Sequence, residues 1–123
     1  MATILLIDDA TTIRNVCAHI LKQAGHEVRT AASAKEGIQD IIETGAPDLI
    51  ITDIDMPGMN GLDMCNRIRQ TGAKLPIVVI TSYSDKEMIQ KAKTLKLAGW
   101  LLKPVTPENL ISKVNSALTG KMS

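Results

Sequence analysis

Short runs of consecutive branched apolar residues recur along the chain, and each is followed by a stretch whose apolar residues lie three or four apart. Ile4–Ile7 is the first run. Four apolar residues without alternation predict a strand buried on both faces. Ile13, Val16, Cys17, Ile20, Leu21 and Ala24 then fall at helical spacing, and Gly25 ends that segment. A weaker strand is expected around Glu27–Ala31. Ser33 with Glu36 has the form of a capping box, opening a helix through Ile38, Ile41 and Ile42 that closes near Gly45.

The second half repeats the alternation. Pro47 precedes the run Leu49–Ile51, which ends in Thr52–Asp53. Met56-Pro57-Gly58-Met59-Asn60-Gly61 is a loop by composition, and Asn60 can cap a helix carrying Leu62, Cys65 and Ile68, with Gly72 past its end. Pro76 starts a third run, Ile77–Ile80. Ser84 with Glu87 reads as another capping box, opening a helix with Met88, Ile89, Ala92 and Leu95. Trp100–Leu102 is a short last strand. Thr106 and Pro107 take the N-cap and N1 positions of a final helix bearing Leu110, Ile111, Val114, Ala117 and Leu118. Five strands alternating with five helices call for an α/β fold, a doubly wound (βα)5 parallel sheet with helices on both faces. At 123 residues the chain is expected to be one domain, 1–123.

Composition changes this picture little. Apolar residues make up 45% and charged residues 22%, an ordinary globular balance, and with one Trp, one Tyr and no Phe the core must be aliphatic. Ile4–Ile7 is too short for a signal-peptide core or a membrane span, so a cytoplasmic protein without a membrane partner is the expectation. Cys17 and Cys65 lack metal-ligand or redox spacing. Net charge is +1, but residues 1–61 carry 9 acids and 4 bases while residues 62–123 carry 4 acids and 10 bases. Such asymmetry can mark a polyanion-binding face; the simpler reading is an acidic pocket in one half and solvated helix faces in the other. No direct nucleic-acid contact is expected.

The candidate chemistry lies at the strand ends, where open parallel sheets bind their ligands. The first strand ends in Asp8 and Asp9, the third in Asp53, the fourth in Thr81 and the fifth in Lys103. Three crowded carboxylates repel unless a cation intervenes. An all-oxygen donor set suits Mg2+ or Mn2+ better than Zn2+. An ammonium and a hydroxyl on the same rim could hold the oxygens of a phosphoryl group, and an Asp carboxylate is a competent nucleophile for an aspartyl phosphate. The set reads as phosphoryl transfer, in which positioning and charge neutralisation do most of the catalysis.

With these residues in view, the whole chain resembles the receiver domains of bacterial response regulators. The matching features are Asp8-Asp9, the block Asp53-Ile54-Asp55-Met56-Pro57-Gly58-Met59-Asn60-Gly61, the pair Thr81-Ser82, and Lys103-Pro104. The resemblance implies a flavodoxin-like three-layer sandwich with strand order 2-1-3-4-5. It makes Asp53 the acceptor of a phosphoryl group from a sensor histidine kinase or histidine phosphotransfer protein. Asp8, Asp9 and Asp53, with the backbone carbonyl of Asp55, would hold Mg2+ (or Mn2+). Lys103 would pair with phosphoryl oxygens, and Thr81 would donate to one of them. Trp100 stands where the family places a switching aromatic, and Asp55 and Tyr83 stand where it tunes the lifetime of the phosphate. A cis Lys103–Pro104 bond and output through the fourth helix, fifth strand and fifth helix are also implied.

The sequence departs from the family pattern in places. Trp100 is larger than the usual Tyr or Phe, Val105 replaces a frequent Phe, and Ala10 stands where a polar residue is common. Lys96 and Leu97 occupy the place of a Gly-Ala pair that often ends the fourth helix, so an unusual turn is expected there. Asp53-Ile54-Asp55 also resembles the acid pair of haloacid-dehalogenase-type phosphohydrolases, but Pro57 stands where those show Thr or Val. A non-phosphorylated interaction module is the other rival, disfavoured by the complete set of Asp9, Asp53, Thr81 and Lys103. No output domain follows the last helix, so the chain is expected to act alone or to be a piece of a longer regulator.

Overall fold

The computed structural model describes residues 2–54, 56, 58–82 and 86–119, with the backbone alone for Lys86, Met88 and Ile89. The strands are β1 (Thr3–Ile7), β2 (Glu27–Ala31), β3 (Leu49–Asp53), β4 (Ile77–Thr81) and β5 (Gly99–Leu102). They alternate with helices α1 (Thr11–Gln23), α2 (Ala34–Thr44), α3 (Gly61–Gln70), α4 (Lys86–Thr94) and α5 (Pro107–Leu118). Every strand pair is parallel, and the order is β2-β1-β3-β4-β5. Element types, their succession and the strand order all match the expectation.

The unbroken apolar runs are explained by the two layers that cover the sheet. Leu5, Ile7, Ile50, Ile77 and Val79 face one side and pack with Leu62, Met64, Cys65, Ile68 and Leu97. Ile4, Leu6, Leu49, Ile51, Val78, Ile80 and Leu101 face the other and pack with Cys17, Leu21, Leu110, Val114 and Ala117. A strand's period of two sends alternate residues to opposite layers, so a strand covered on both faces must be apolar throughout. Each fully buried Ile or Leu contributes about 1.5–3 kcal/mol. Both cysteines are free and buried, and burial pushes the Cys65 thiol up to about 12, so neither is poised to react.

Some expected stripe residues lie outside the packed faces, among them Val16, Ala24 and Ile42. Val16 and Ile42 are 53% and 72% exposed. On α1 the buried residues are Cys17, Ala18 and Leu21, so the packed face is turned towards Ala18 and leaves Val16 on its far flank. On α2 the close approach is made by Ala34 and Gly37, small residues that hydrophobic spacing underweights, and Ile42 is rotated outward. Ser33 caps α2 as expected by accepting from the Glu36 N–H, yet the Glu36 carboxylate accepts from the Ala32 N–H, one residue earlier than a reciprocal box requires. The full reciprocal box occurs instead at α5, between Thr106 and Asn109. Ser84, expected to cap α4, lies outside the described residues.

The end of α4 is unusual in the way the sequence suggested. The Lys96 N–H donates to Lys93 O at 3.1 Å and the Leu97 N–H to Ala92 O at 3.1 Å, the two bonds of a Schellman closure. Lys96 takes the left-handed position with φ +56°, where the equivalent residue after α1 is Gly25 with φ +96°. A Cβ in that region costs roughly 1–2 kcal/mol that glycine avoids. We therefore expect Lys96→Gly to raise the unfolding free energy by about 1 kcal/mol, read from the urea midpoint. A lower midpoint would show that the Lys96 side chain contributes more than its backbone conformation costs.

Candidate functional site

Because all five strands run the same way, their C-terminal ends share one rim, and the side chains that follow them converge. Asp8, Asp53 and Thr81 are 1%, 2% and 0% exposed, whereas Asp9 faces solvent. A carboxylate oxygen from each of Asp8, Asp9 and Asp53 lies within 4.8 Å of the others. The Lys103 Nζ donates to Asp53 Oδ2 at 3.1 Å, an ion pair whose carboxylate side is fully enclosed. Lys103 is tied to β4 by its own N–H, which donates to Thr81 O at 2.9 Å, and the Lys103–Pro104 bond is cis.

The rim is built from local sequence. At the end of β1 the Asp8 N–H donates to Ala31 O at 3.1 Å, and the Asp8 Oδ1 accepts from the Ala10 N–H at 2.9 Å, which fixes the carboxylate against the start of α1. Arg14 Nη1 donates to the Asp8 carbonyl oxygen at 2.7 Å. Nothing in the spacing pointed to Arg14 beyond its place one turn into a helix. Gly61 was legible only as part of a motif. A Cβ there would fall inside contact distance of the Asp53 carbonyl oxygen and 3.0 Å from Ile54 Cα, while the Gly61 N–H donates to Ile54 O at 3.0 Å. Only glycine lets α3 begin this close to the end of β3.

Burial and charge crowding act together on Asp8. Burial pushes its carboxyl above the ordinary 3.8; Asp53 and Asp9 push the same way, whereas the Ala10 N–H and Lys103 pull it down. At an effective dielectric of about 20, two unit charges about 5 Å apart repel by roughly 3 kcal/mol. A cation among the three carboxylates would reverse that sign. Neither histidine enters the rim: His19 is exposed, and His26 Nδ1 accepts from the Ala2 N–H beside the start of β1.

Trp100 lies opposite Val79 in the β4–β5 register and packs half-buried against the layer that contains Ile77, Val79 and Leu97. Its Nε1 is buried with no hydrogen-bond partner among the described residues. Asp55 and Tyr83 lie outside the described residues, as does Pro57 of the central block.

A family model described as the response regulator receiver domain matches residues 4–115. The chain belongs to that family. Receiver domains are signalling domains switched by phosphorylation rather than conventional enzymes, and the family binds Mg2+ at an acidic pocket. This receiver domain is 35% identical to the nitrate/nitrite response regulator NarL of Escherichia coli over 123 residues, 98% of this chain and 56% of that protein. It is 33% identical over 118 residues to the transcriptional regulatory protein AfsQ1 of Streptomyces coelicolor, 96% of this chain and 52% of that one. Among solved structures, the chemotaxis response regulator CheY4 of Vibrio cholerae superposes with a TM-score of 0.88 at 34% identity, covering 96% of this chain and 99% of CheY4. The chain thus spans about half the length of the first curated relatives and nearly all of the solved CheY4 chain. No helix among the described residues is long and apolar enough to cross a membrane.

The position of Asp8 sets a pH dependence. Its folded-state carboxyl holds a proton more tightly than the unfolded chain does, so its contribution to stability is greatest below 3.8 and declines as pH rises through the elevated folded value. In EDTA, urea unfolding of the receiver should therefore show a decline across that window that Asp8→Asn lacks. Identical pH profiles for the two proteins would contradict the electrostatic picture.

Proposed function

We propose that the chain is a phosphorylation-activated switch of a two-component phosphorelay, with Asp53 as the phosphoacceptor. The observation that carries this reading is the enclosed Lys103–Asp53 ion pair set beside two further carboxylates on one rim. A lone buried Asp–Lys pair would be a structural feature; the adjacent Asp8 and Asp9 make the rim a place where charge has been collected at a cost in stability.

The donor set fits a divalent cation: three carboxylates, no His or Cys, one carboxyl pushed upward by burial and its neighbours. Asp8, Asp9 and Asp53, with the Asp55 backbone carbonyl, would hold Mg2+ or Mn2+. When bound, that cation neutralises carboxylate and phosphoryl charge. An Asp53 carboxylate oxygen attacks the phosphorus of a phosphohistidine on a sensor histidine kinase or histidine phosphotransfer protein. The P–N bond breaks, and its electron pair leaves with the imidazole. Lys103 exchanges part of its hold on Asp53 for a phosphoryl oxygen, and the Thr81 hydroxyl donates to another; both bonds are charge-assisted. Hydrolysis by water returns the free carboxylate. Asp55 and Tyr83 govern that water, Tyr83 by obstructing it. The domain catalyses no reaction but its own phosphorylation and dephosphorylation.

Output is carried by the surface of α4, β5 and α5. The buried Trp100 Nε1, without a partner among the described residues, supports a poised position: an unsatisfied buried donor costs about 1–3 kcal/mol, so movement of Trp100 with Thr81 starts from a raised baseline. Moving a two-state switch from 1:99 to 99:1 takes roughly 5.5 kcal/mol, and relief at Trp100 would supply part of it. The downstream target is a protein docking on that surface. This domain contacts neither nucleic acid nor membrane, and it works in the cytoplasm.

Intact mass after incubation with a small-molecule acyl phosphate and Mg2+ tests the proposal. One phosphoryl group should be gained, and EDTA or Asp53→Ala should abolish the gain. The gained mass should decay several-fold faster in Tyr83→Ala. Gain that survives Asp53→Ala, or no gain even from a phosphohistidine protein donor, would overturn the assignment.

A further inference from the structure

The opposite rim of the sheet carries a second collection of charge, of the other sign. A cleft of about 560 Å3 opens between the C-terminal ends of α3 and α4. Arg69, Lys74 and Lys96 line it with Asn66, Gln70 and Thr94, and its described lining contains no carboxylate. Lys74 precedes β4 and Lys96 precedes β5, whereas Thr81 ends β4 and Lys103 follows β5, so the cleft and Asp53 lie at opposite strand ends.

Helix C-termini ordinarily repel anions, because their last carbonyls carry the negative end of the dipole. Arg69 alters that. Its Nε donates to Leu95 O at 2.9 Å, Nη1 to Leu75 O at 2.8 Å and Ala73 O at 3.2 Å, and Nη2 to Lys96 O at 3.3 Å. One guanidinium takes up four backbone carbonyls, three of them on residues that line the cleft, and its partners among the described residues are carbonyls rather than carboxylates. The same fork ties the loop after α3 to the turn after α4, so the two walls of the cleft are held together.

Lys74 and Lys96 add exposed ammonium groups to those walls. Lys96 does so from a left-handed backbone position that glycine would occupy with less strain, which places a cation where stability alone favours none. The basic excess of residues 62–123 therefore does not simply disperse over solvated helix faces; part of it gathers here.

We infer that this cleft binds a small, multiply charged phosphate-bearing anion, a nucleotide or a polyphosphate, held by Lys74 and Lys96 between walls positioned by Arg69. The concave shape and volume suit a small ligand, since such sites typically enclose about 300–1,000 Å3. Ammonium groups act as point charges for phosphate, and the side-chain amides of Asn66 and Gln70 can donate to further oxygens. Ala73 and Leu95 supply apolar surface between the charges. The inference does not depend on Asp53 being phosphorylated.

The test is a titration of the full chain, 15N-labelled and in EDTA at low ionic strength, with inorganic tripolyphosphate and separately with ATP. Saturable amide shifts are expected at Gly72, Ala73 and Leu95–Leu97, weakening as salt approaches about 0.15 M. Lys74→Ala with Lys96→Gly should weaken binding about tenfold or more, a loss of about 1.4 kcal/mol. Lys96→Gly relieves the backbone, so loss of folding does not confound the result, and the double variant should still accept a phosphoryl group at the parent rate. Tighter binding of ATP than of tripolyphosphate would assign the ligand to the nucleotides; equal binding would leave the phosphate chain as the recognised group. Shifts that never saturate, that centre elsewhere, or that persist undiminished in the double variant would overturn the site.

Discussion

The acidic rim depends on a carboxylate kept out of water. Asp53 ends a strand whose every residue is buried, and its charge is answered within the protein by Lys103 at 3.1 Å. Enclosing an ion this way is costly, and removing either partner of such a pair typically costs about 3–5 kcal/mol. The pair also stands beside Asp8 and Asp9, so its surroundings are electrostatically unfavourable until a cation alters the balance. The rest of the chain supplies the rigidity that makes this tolerable.

That rigidity comes from the parallel sheet. With both faces covered, β1, β3 and β4 are fixed by two apolar layers at once, and their C-terminal residues have little freedom to move apart. Secondary devices then set the details. Ala10 orients the Asp8 carboxylate, Gly61 lets α3 start against the end of β3, and the Thr81 carbonyl anchors Lys103. At the far end of the same strands Arg69 performs a comparable task with carbonyls, closing the turn after α4 onto the loop after α3. One topology thus presents an acidic rim and a basic one.

Much of this was legible in the sequence because the strongest signals are periodic or chemical. Unbroken runs such as Leu49–Ile51 can be nothing but doubly covered strands once helical stretches separate them, and the rule that ligands meet strand ends turns that pattern into a site. The carboxylates, Thr81 and Lys103 were placed on one rim this way, and the family resemblance then ordered the strands. What escaped depended on contact rather than type. Arg14 and Arg69 act through backbone carbonyls, which no spacing encodes, and Gly61 matters through a distance to the Asp53 carbonyl. Val16 and Ile42 misled because small residues, Ala18 and Gly37, decide how a helix rolls onto a sheet. Lys96 showed the reverse case, a departure from pattern that did mark an unusual turn.

The claim that the rim trades stability for a charge-dependent switch is tested most directly by following stability at neutral pH against Mg2+ for the parent and Asp8→Asn. Without metal, Asp8→Asn should be the more stable protein, because it removes a carboxyl that burial and its neighbours disfavour when ionised. Added Mg2+ should stabilise the parent, by about 2.7 kcal/mol at a hundredfold excess over its dissociation constant, and the variant much less. A metal-free variant less stable than the parent, with an equal response to Mg2+, would contradict it.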